Sequence, residues 1–212
     1  MGVEQGPIGL LGGSFDPVHN GHLQLARDAL KHLSLGEVRF IPAAHPWQKG
    51  TLTPAEHRAE MVRIAIAGEP RFALDMREIA RGGTTYTIDT LREMRGVEPQ
   101  RPLVLIMGSD QFARLETWRD WQQVVELSHI AVAQRAGGPI VPDTSSGDAA
   151  RLATSTGSVI VSFPMTPVDA SATEVRRLLG QTPSAHIEQR LAAMVPAGVL
   201  DYIRLHNLYR NN

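Results

Sequence analysis

Short apolar runs alternate with amphipathic stretches along the chain. Ile8-Gly9-Leu10-Leu11 is continuously apolar, which predicts a strand buried on both faces. Leu23, Ala26, Leu30 and Leu33 then recur at helical spacing, with Gln24, Arg27, Asp28 and Lys31 on other faces; Asn20 stands where an N-cap belongs. A second strand is predicted over 38–41. Thr53-Pro54-Ala55-Glu56 reads as a capping box with Pro at the first helical position, followed by the stripe Ala55, Ala59, Val62 and Ile66. Further strands are predicted over 71–74, 103–107, 129–133 and 158–162. Further helices are predicted over 88–95, 120–126, 173–179, 187–194 and 197–206. Residues 137–147 are rich in Gly, Pro and Ser and read as a mobile surface loop.

Regular strand–helix alternation predicts an α/β fold: a doubly wound parallel sheet of Rossmann-like type, closed by C-terminal helices. In such sheets ligands sit at the carboxyl ends of the strands, where the strand order reverses. No repeat or linker divides the 212 residues, so one domain over 1–212 is expected, with 1–7 a loose start. Lys+Arg is 21 and Asp+Glu is 22, a net charge of −1, which argues against a protein built to grip nucleic acid. The chain has no Cys, which removes disulfides and thiolate chemistry and fits a reducing cytoplasm. The longest strongly apolar run, 103–107, is too short to span a bilayer, and the start lacks the basic-then-apolar order of a leader.

The stretch between the first predicted strand and helix carries the chemistry. It reads Gly12-Gly13-Ser14-Phe15-Asp16-Pro17-Val18-His19-Asn20-Gly21-His22. Gly12 and Gly13 let backbone approach a ligand, and successive amides there form an anion nest. His19 and His22 fall at a helix start, with its free N–H groups and positive dipole end; imidazoles there can donate to developing phosphoryl charge. A plain tight turn with capping histidines is the structural alternative. Near the C-terminus, Ser171-Ala172-Thr173-Glu174-Val175-Arg176 opens a helix. Ser171 and Glu174 make a capping box, and Ser171, Thr173 and Arg176 also suit triphosphate oxygens.

The first of these stretches resembles the His-x-Gly-His motif of the nucleotidyltransferase superfamily. The second resembles its Ile-Ser-Ser-Thr-x-Ile-Arg motif at Ser171, Thr173 and Arg176, departing from it at Ala170, Ala172 and Val175. Thr85-Tyr86-Thr87-Ile88-Asp89, Ile106-Met107-Gly108-Ser109-Asp110 and Glu116-Thr117-Trp118 extend the likeness. Together they resemble the bacterial nicotinate-nucleotide adenylyltransferases over about 8–210. The resemblance implies a Rossmann-type enzyme of NAD biosynthesis that joins nicotinate mononucleotide to the AMP part of ATP, with Mg²⁺ carried by ATP rather than held in a protein metal site. It implies catalysis by His19, His22 and Arg176. ATP and its phosphates would meet Gly12, Gly13, Ser14, Phe15, Lys49, Gly108, Asp110, Ser171 and Thr173. The nicotinate nucleotide would meet Thr85, Tyr86, Thr87, Trp118 and Arg135, with Trp118 stacked on the ring and the helix start at Tyr86-Thr87 offering N–H groups to its carboxylate. Expected partners are these small molecules, with no nucleic acid and no membrane, in a monomer or small homo-oligomer. Two rivals share the first motif: a phosphopantetheine adenylyltransferase-like enzyme, which gives no reason for the Thr-Tyr-Thr and Thr-Trp segments, and an aminoacyl-tRNA synthetase fragment. A third, a non-catalytic nucleotide sensor on the same fold, gives none for intact His19, His22 and Arg176.

Overall fold

The computed structural model describes residues 6–46, 52–134 and 157–210. The strands are β1 (Ile8–Gly13), β2 (Glu37–Pro42), β3 (His45–Pro46), β4 (Phe72–Leu74), β5 (Thr84–Thr85), β6 (Leu103–Gly108), β7 (His129–Gln134) and β8 (Ile160–Pro164). Around them run α1 (Asn20–Leu33), α2 (Ala55–Ile66), α3 (Arg77–Arg81), α4 (Thr87–Val97), α5 (Ser109–Phe112), α6 (Trp121–Leu127), α7 (Ala172–Leu179), α8 (Ala185–Met194) and α9 (Ala197–Leu205). Six strands form one parallel sheet in the order β4-β2-β1-β6-β7-β8. The chain leaves β1 in one direction for β2 and β4, then returns to its other side for β6, β7 and β8. The order reverses between β1 and β6, which opens a crevice at their carboxyl ends.

Both faces of the sheet are covered, so its strands are apolar without alternation. Along β6, Val104 and Ile106 join one core cluster with Leu23, Phe40 and Met61, while Leu103, Leu105 and Met107 join the other with Ile88, Leu91 and Met94. Gly9 lies where the packing is tightest. A Cβ there would meet Leu35 at 2.8 Å and Ile106 at 2.9 Å.

Beyond small shifts of helix ends, local readings differ in the following ways. The N-cap of α1 is His19, not Asn20: the His19 N–H donates to His22 Nδ1 at 3.3 Å, and Asn20 spends its amide on the Ala193 carbonyl of α8 at 2.8 Å. Thr53 does not cap α2, whose N-cap is Pro54. Its N–H reaches Asp16 Oδ2 and its carbonyl accepts from Arg58 Nε. β8 begins two residues late, because Ser158 Oγ and the Val159 N–H bond to the start of β7, at Ser128 O and His129 Nδ1. The loose start does not extend through Pro7: the Gly6 carbonyl accepts from Arg101 Nε and the Pro7 carbonyl from the Gly36 N–H, both at 2.9 Å. The parallel pair β3–β5 and the short helices α3 and α5 are too brief to show a period, and the sequence pattern did not predict them. The 137–147 loop lies outside the described residues.

Candidate active site

A cavity of about 520 Å³ opens at the carboxyl ends of β1 and β6. Gly12, Gly13, Ser14, His19 and His22 line one part of it. Glu78, Thr85, Tyr86, Thr87, Trp118 and Arg119 line another, and Gly108 and Asp110 follow β6 into it.

The first part is built by packing behind the loop. A Cβ at Gly12 would meet nothing within 4 Å, so that position is open to a ligand, whereas a Cβ at Gly13 would press on the Phe15 ring at 3.1 Å. Gly13 is therefore a packing glycine. Phe15 takes a left-handed backbone (φ 48°), and its buried ring does not line the cavity. It stands edge-on to His22, with ring centroids 5.0 Å apart, and supports that imidazole from behind. The His19 and His22 rings stack at 3.8 Å. A Cβ at Gly21 would meet the His19 ring at 3.0 Å and the Ala170 carbonyl at 3.4 Å, so this glycine lets the ring and the approach to α7 close on one another. Because His22 Nδ1 accepts from the His19 N–H, the neutral imidazole carries its proton on Nε2, the atom that can donate to a phosphoryl oxygen.

Beneath the loop is a polar anchor that the sequence pattern did not reveal. Arg58 is 1% exposed. Its guanidinium donates to three carbonyls: Thr53 at 2.8 Å, Ser14 at 2.7 Å and Ala44 at 2.9 Å. Burial pulls its pKa down and the charge of Asp16 opposes that. Asp16, also buried, accepts from the Tyr209 hydroxyl at 2.6 Å, and burial together with Asp16 holds that phenol well above its usual range. Arg176 Nη1 donates to the Asp16 carbonyl at 2.6 Å, so this guanidinium braces the loop and does not line the cavity. Thr173 is exposed and also away from the lining. Ser171 does line it, and its Oγ caps α7 by accepting from the Glu174 N–H at 3.2 Å. The reciprocal half of that capping box is replaced, since the Glu174 carboxylate pairs with Arg177 and Arg190.

The other part is built from short elements. Tyr86 is the N-cap of α4; its carbonyl accepts from the Asp89 and Thr90 N–H groups, which leaves the Thr87 and Ile88 N–H groups of the first turn without an acceptor inside the helix. Arg119 lies 4.8 Å over the Tyr86 ring. Trp118 leads out of the 3₁₀ turn Leu115–Thr117, packs on the second core cluster and lines the cavity; its buried Nε1 has no hydrogen-bond partner among the described residues. Beside Thr85 and Thr90 sits Glu78, 8% exposed, which accepts from the Thr90 hydroxyl at 2.6 Å, with burial pushing its carboxyl pKa up. Lys49 and Arg135 lie outside the described residues. Among the described residues no group of three or more His, Asp or Glu is placed to hold a metal ion, and no helix is long and apolar enough to cross a membrane.

Residues 10–178 match the cytidylyltransferase-like family. The chain belongs to that family. Within it, the chain is 41% identical to a protein of Dechloromonas aromatica named "Probable nicotinate-nucleotide adenylyltransferase", over 97% of this chain and 99% of that one. A protein of the same name from Methylibium petroleiphilum is 43% identical over 95% and 92%. Among solved structures, the Plasmodium falciparum nicotinic acid mononucleotide adenylyltransferase complexed with NaAD superposes with a TM-score of 0.75 at 20% identity, covering 96% of this chain and 97% of that one. That likeness shows the fold: the doubly wound nucleotidyltransferase sheet expected from the sequence.

Arg58, Asp16, Tyr209, Glu78 and Arg119 are the site residues that sequence reasoning missed. A lone Arg on an otherwise apolar helix stripe was the available signal for Arg58, because a buried guanidinium must find acceptors. Glu78 offered no comparable signal, since its burial depends on Thr85 and Thr90 of two other elements.

Proposed function

We infer that this chain is an adenylyltransferase that joins nicotinate mononucleotide to the AMP part of ATP, giving deamido-NAD and pyrophosphate in NAD biosynthesis. The observation that carries this is identity of about 41% to the nicotinate-nucleotide adenylyltransferases over nearly the whole length of both chains. A cavity with an amide-rich loop on one side and an aromatic, hydroxyl-lined wall on the other supports it.

In the proposed reaction the 5′-phosphate oxygen of the mononucleotide attacks the α-phosphorus of ATP in line, and the bond to the bridging oxygen breaks to release pyrophosphate. Positioning and charge stabilisation supply the rate. Gly12, Gly13 and Ser14 cradle the phosphates. His22, with its proton on Nε2, donates to oxygens that gain charge, and His19 stacks beside it. Ser171 faces the triphosphate, and Gly108 and Asp110 meet the adenosine ribose. Arg176 is assigned a positioning role through Asp16. Thr85, Tyr86 and Thr87 meet the nicotinate carboxylate, and Trp118 stacks on its ring. Lys49 and Arg135 keep the phosphate and nucleotide roles that the family resemblance gives them. Mg²⁺ enters as part of the ATP substrate, bound mainly through its phosphates. The working state is a cytoplasmic monomer or small homo-oligomer.

The test is product analysis. The protein is incubated with MgATP and, separately, nicotinate mononucleotide, nicotinamide mononucleotide and phosphopantetheine, with pyrophosphate release and the adenylylated product both measured. Deamido-NAD should be the main product. Turnover of phosphopantetheine alone would refute the assignment.

A further inference from the structure

We propose that Arg119 is a specificity-determining residue of the cavity, whose guanidinium selects a pyridine ring that bears a carboxylate over one that bears a carboxamide. This rests on the nucleotide assignment above. Arg119 is exposed and lines the cavity, and among the described residues it is the one lysine or arginine that does so. The other charged or titratable groups of the lining are Glu78, Asp110, Tyr86, His19 and His22. Glu78 and Asp110 bring no positive charge in any protonation state, and the two histidines belong to the phosphate loop.

The chain ties this guanidinium to both groups assigned to the nicotinate ring. Arg119 follows Trp118, which is assigned to the ring face, and its Cζ stands 4.8 Å over the ring of Tyr86. Tyr86 is the N-cap of α4, where the Thr87 and Ile88 N–H groups have no acceptor inside the helix. A guanidinium over an aromatic face is attracted by the ring and still has its N–H donors to give. It therefore stands with the helix start that is assigned to the ring substituent, and both favour negative charge.

The protein's own carboxylates leave Arg119 to a ligand. Nearby arginines are engaged: Arg77 by Asp75 at 2.8 Å, Arg81 by Glu93 at 2.6 Å, and Arg95 by the Leu127 carbonyl at 2.8 Å. Asp120, next in the chain to Arg119, pairs instead with Arg92 at 3.4 Å. Among the described residues Arg119 has no ion pair and no hydrogen bond, and its recorded contact is the Tyr86 ring. A carboxylate offers such a guanidinium two charged acceptor oxygens. A carboxamide offers one neutral oxygen and an NH₂ that arginine, a donor only, cannot accept. Stacking on Trp118 and binding of the nucleotide phosphate are common to both substrates, so the charge at position 119 bears on the substituent alone.

The experiment is the ratio of kcat/KM for nicotinate over nicotinamide mononucleotide, with saturating MgATP at constant pH, in wild type, Arg119→Gln and Arg119→Lys. Each is measured at about 0.05 M and about 0.5 M KCl, because salt screens an exposed charge. Arg119→Gln should lower the ratio roughly 5-fold or more, through the acid rather than the amide. The wild-type ratio should fall as salt rises, and the Arg119→Gln ratio should stay flat. Arg119→Lys, which keeps the charge and loses the planar fork, should fall between the two and keep the salt dependence. Should turnover of the amide be too slow to follow, the two nucleotide affinities measured by calorimetry replace kcat/KM, with the same expectations. An arginine that only packs on Tyr86 would, on replacement, weaken both nucleotides alike. A ratio in Arg119→Gln within about 2-fold of wild type, or a salt dependence that persists in that variant, overturns the proposal and leaves the adenylyltransferase assignment intact. Failure of the wild type to turn over either pyridine nucleotide overturns both.

Discussion

The two parts of the cavity are held in different ways. The loop at 12–22 is fixed from behind by groups that never face the ligand: the Arg58 guanidinium on three carbonyls, Tyr209 and Arg176 on Asp16, and Phe15 behind His22. The wall at Glu78, Thr85, Thr90 and Trp118 is instead made of side chains that line the cavity themselves, on α3, β5, α4 and the turn before α6. The first arrangement gives a fixed field of amides and imidazoles, suited to phosphates that every substrate of this chemistry carries. The second gives a surface of hydroxyl, aromatic and helix-start groups, suited to telling substituents apart. Backbone groups held from behind sit where the chemistry is common, and lining side chains where substrates differ.

Substitutions should separate the two parts by what they damage. Arg58→Met leaves three buried carbonyls and Asp16 without their cation, and should cost about 3–5 kcal/mol of stability. In thermal denaturation that is a fall in Tm of roughly 6–20 °C. His22→Ala should keep the fold and lower kcat about 10²-fold or more, with a smaller effect on ATP affinity measured by titration. Tyr209→Phe removes one hydrogen bond to a buried carboxylate and should cost about 1.5–3 kcal/mol in urea denaturation, although residue 209 is far from the loop in sequence. On the other wall, Trp118→Ala should raise KM roughly 10-fold for both pyridine nucleotides and change their ratio little, because stacking does not read the substituent. The smallest effect concerns pH. The folded protein holds the Glu78 proton more tightly than the unfolded chain, so stability should fall as pH rises above the ordinary glutamate value of 4.5 and level off once Glu78 ionises in the folded state. Denaturant midpoints at pH 5 and 8 should show this decline in wild type, and Glu78→Gln should reduce it.

The same division explains what could be read from the sequence. Residues 12–22 are contiguous and join a buried strand to an amphipathic helix, so their place in the fold and at the cavity followed from local pattern. The long strands β1, β6 and β7 and the main helices were legible for the same reason. What fixes the loop was not legible: Arg58, Arg176 and Tyr209 come from α2, α7 and the turn after α9, and their roles depend on acceptors brought near only by folding. Arg176 and Phe15 show the limit in detail, since both belong to recognisable motifs and both act on the loop rather than at the cavity surface. On the other wall, Thr85 and Trp118 stood out as candidates, but Glu78 did not, because a carboxylate in a five-residue helix has no periodic signal to mark it as buried.

The most direct measurement is a side-by-side determination of kcat/KM for nicotinate and nicotinamide mononucleotides with saturating MgATP at neutral pH. A wall that offers donors to a carboxylate leaves those donors imperfectly paired with an amide, at about 1–3 kcal/mol for each buried group. One or two such mismatches predict a preference for the acid of roughly 10- to 10⁴-fold. Equal use of the two nucleotides would contradict the account, leaving the phosphate loop without a selective wall opposite it.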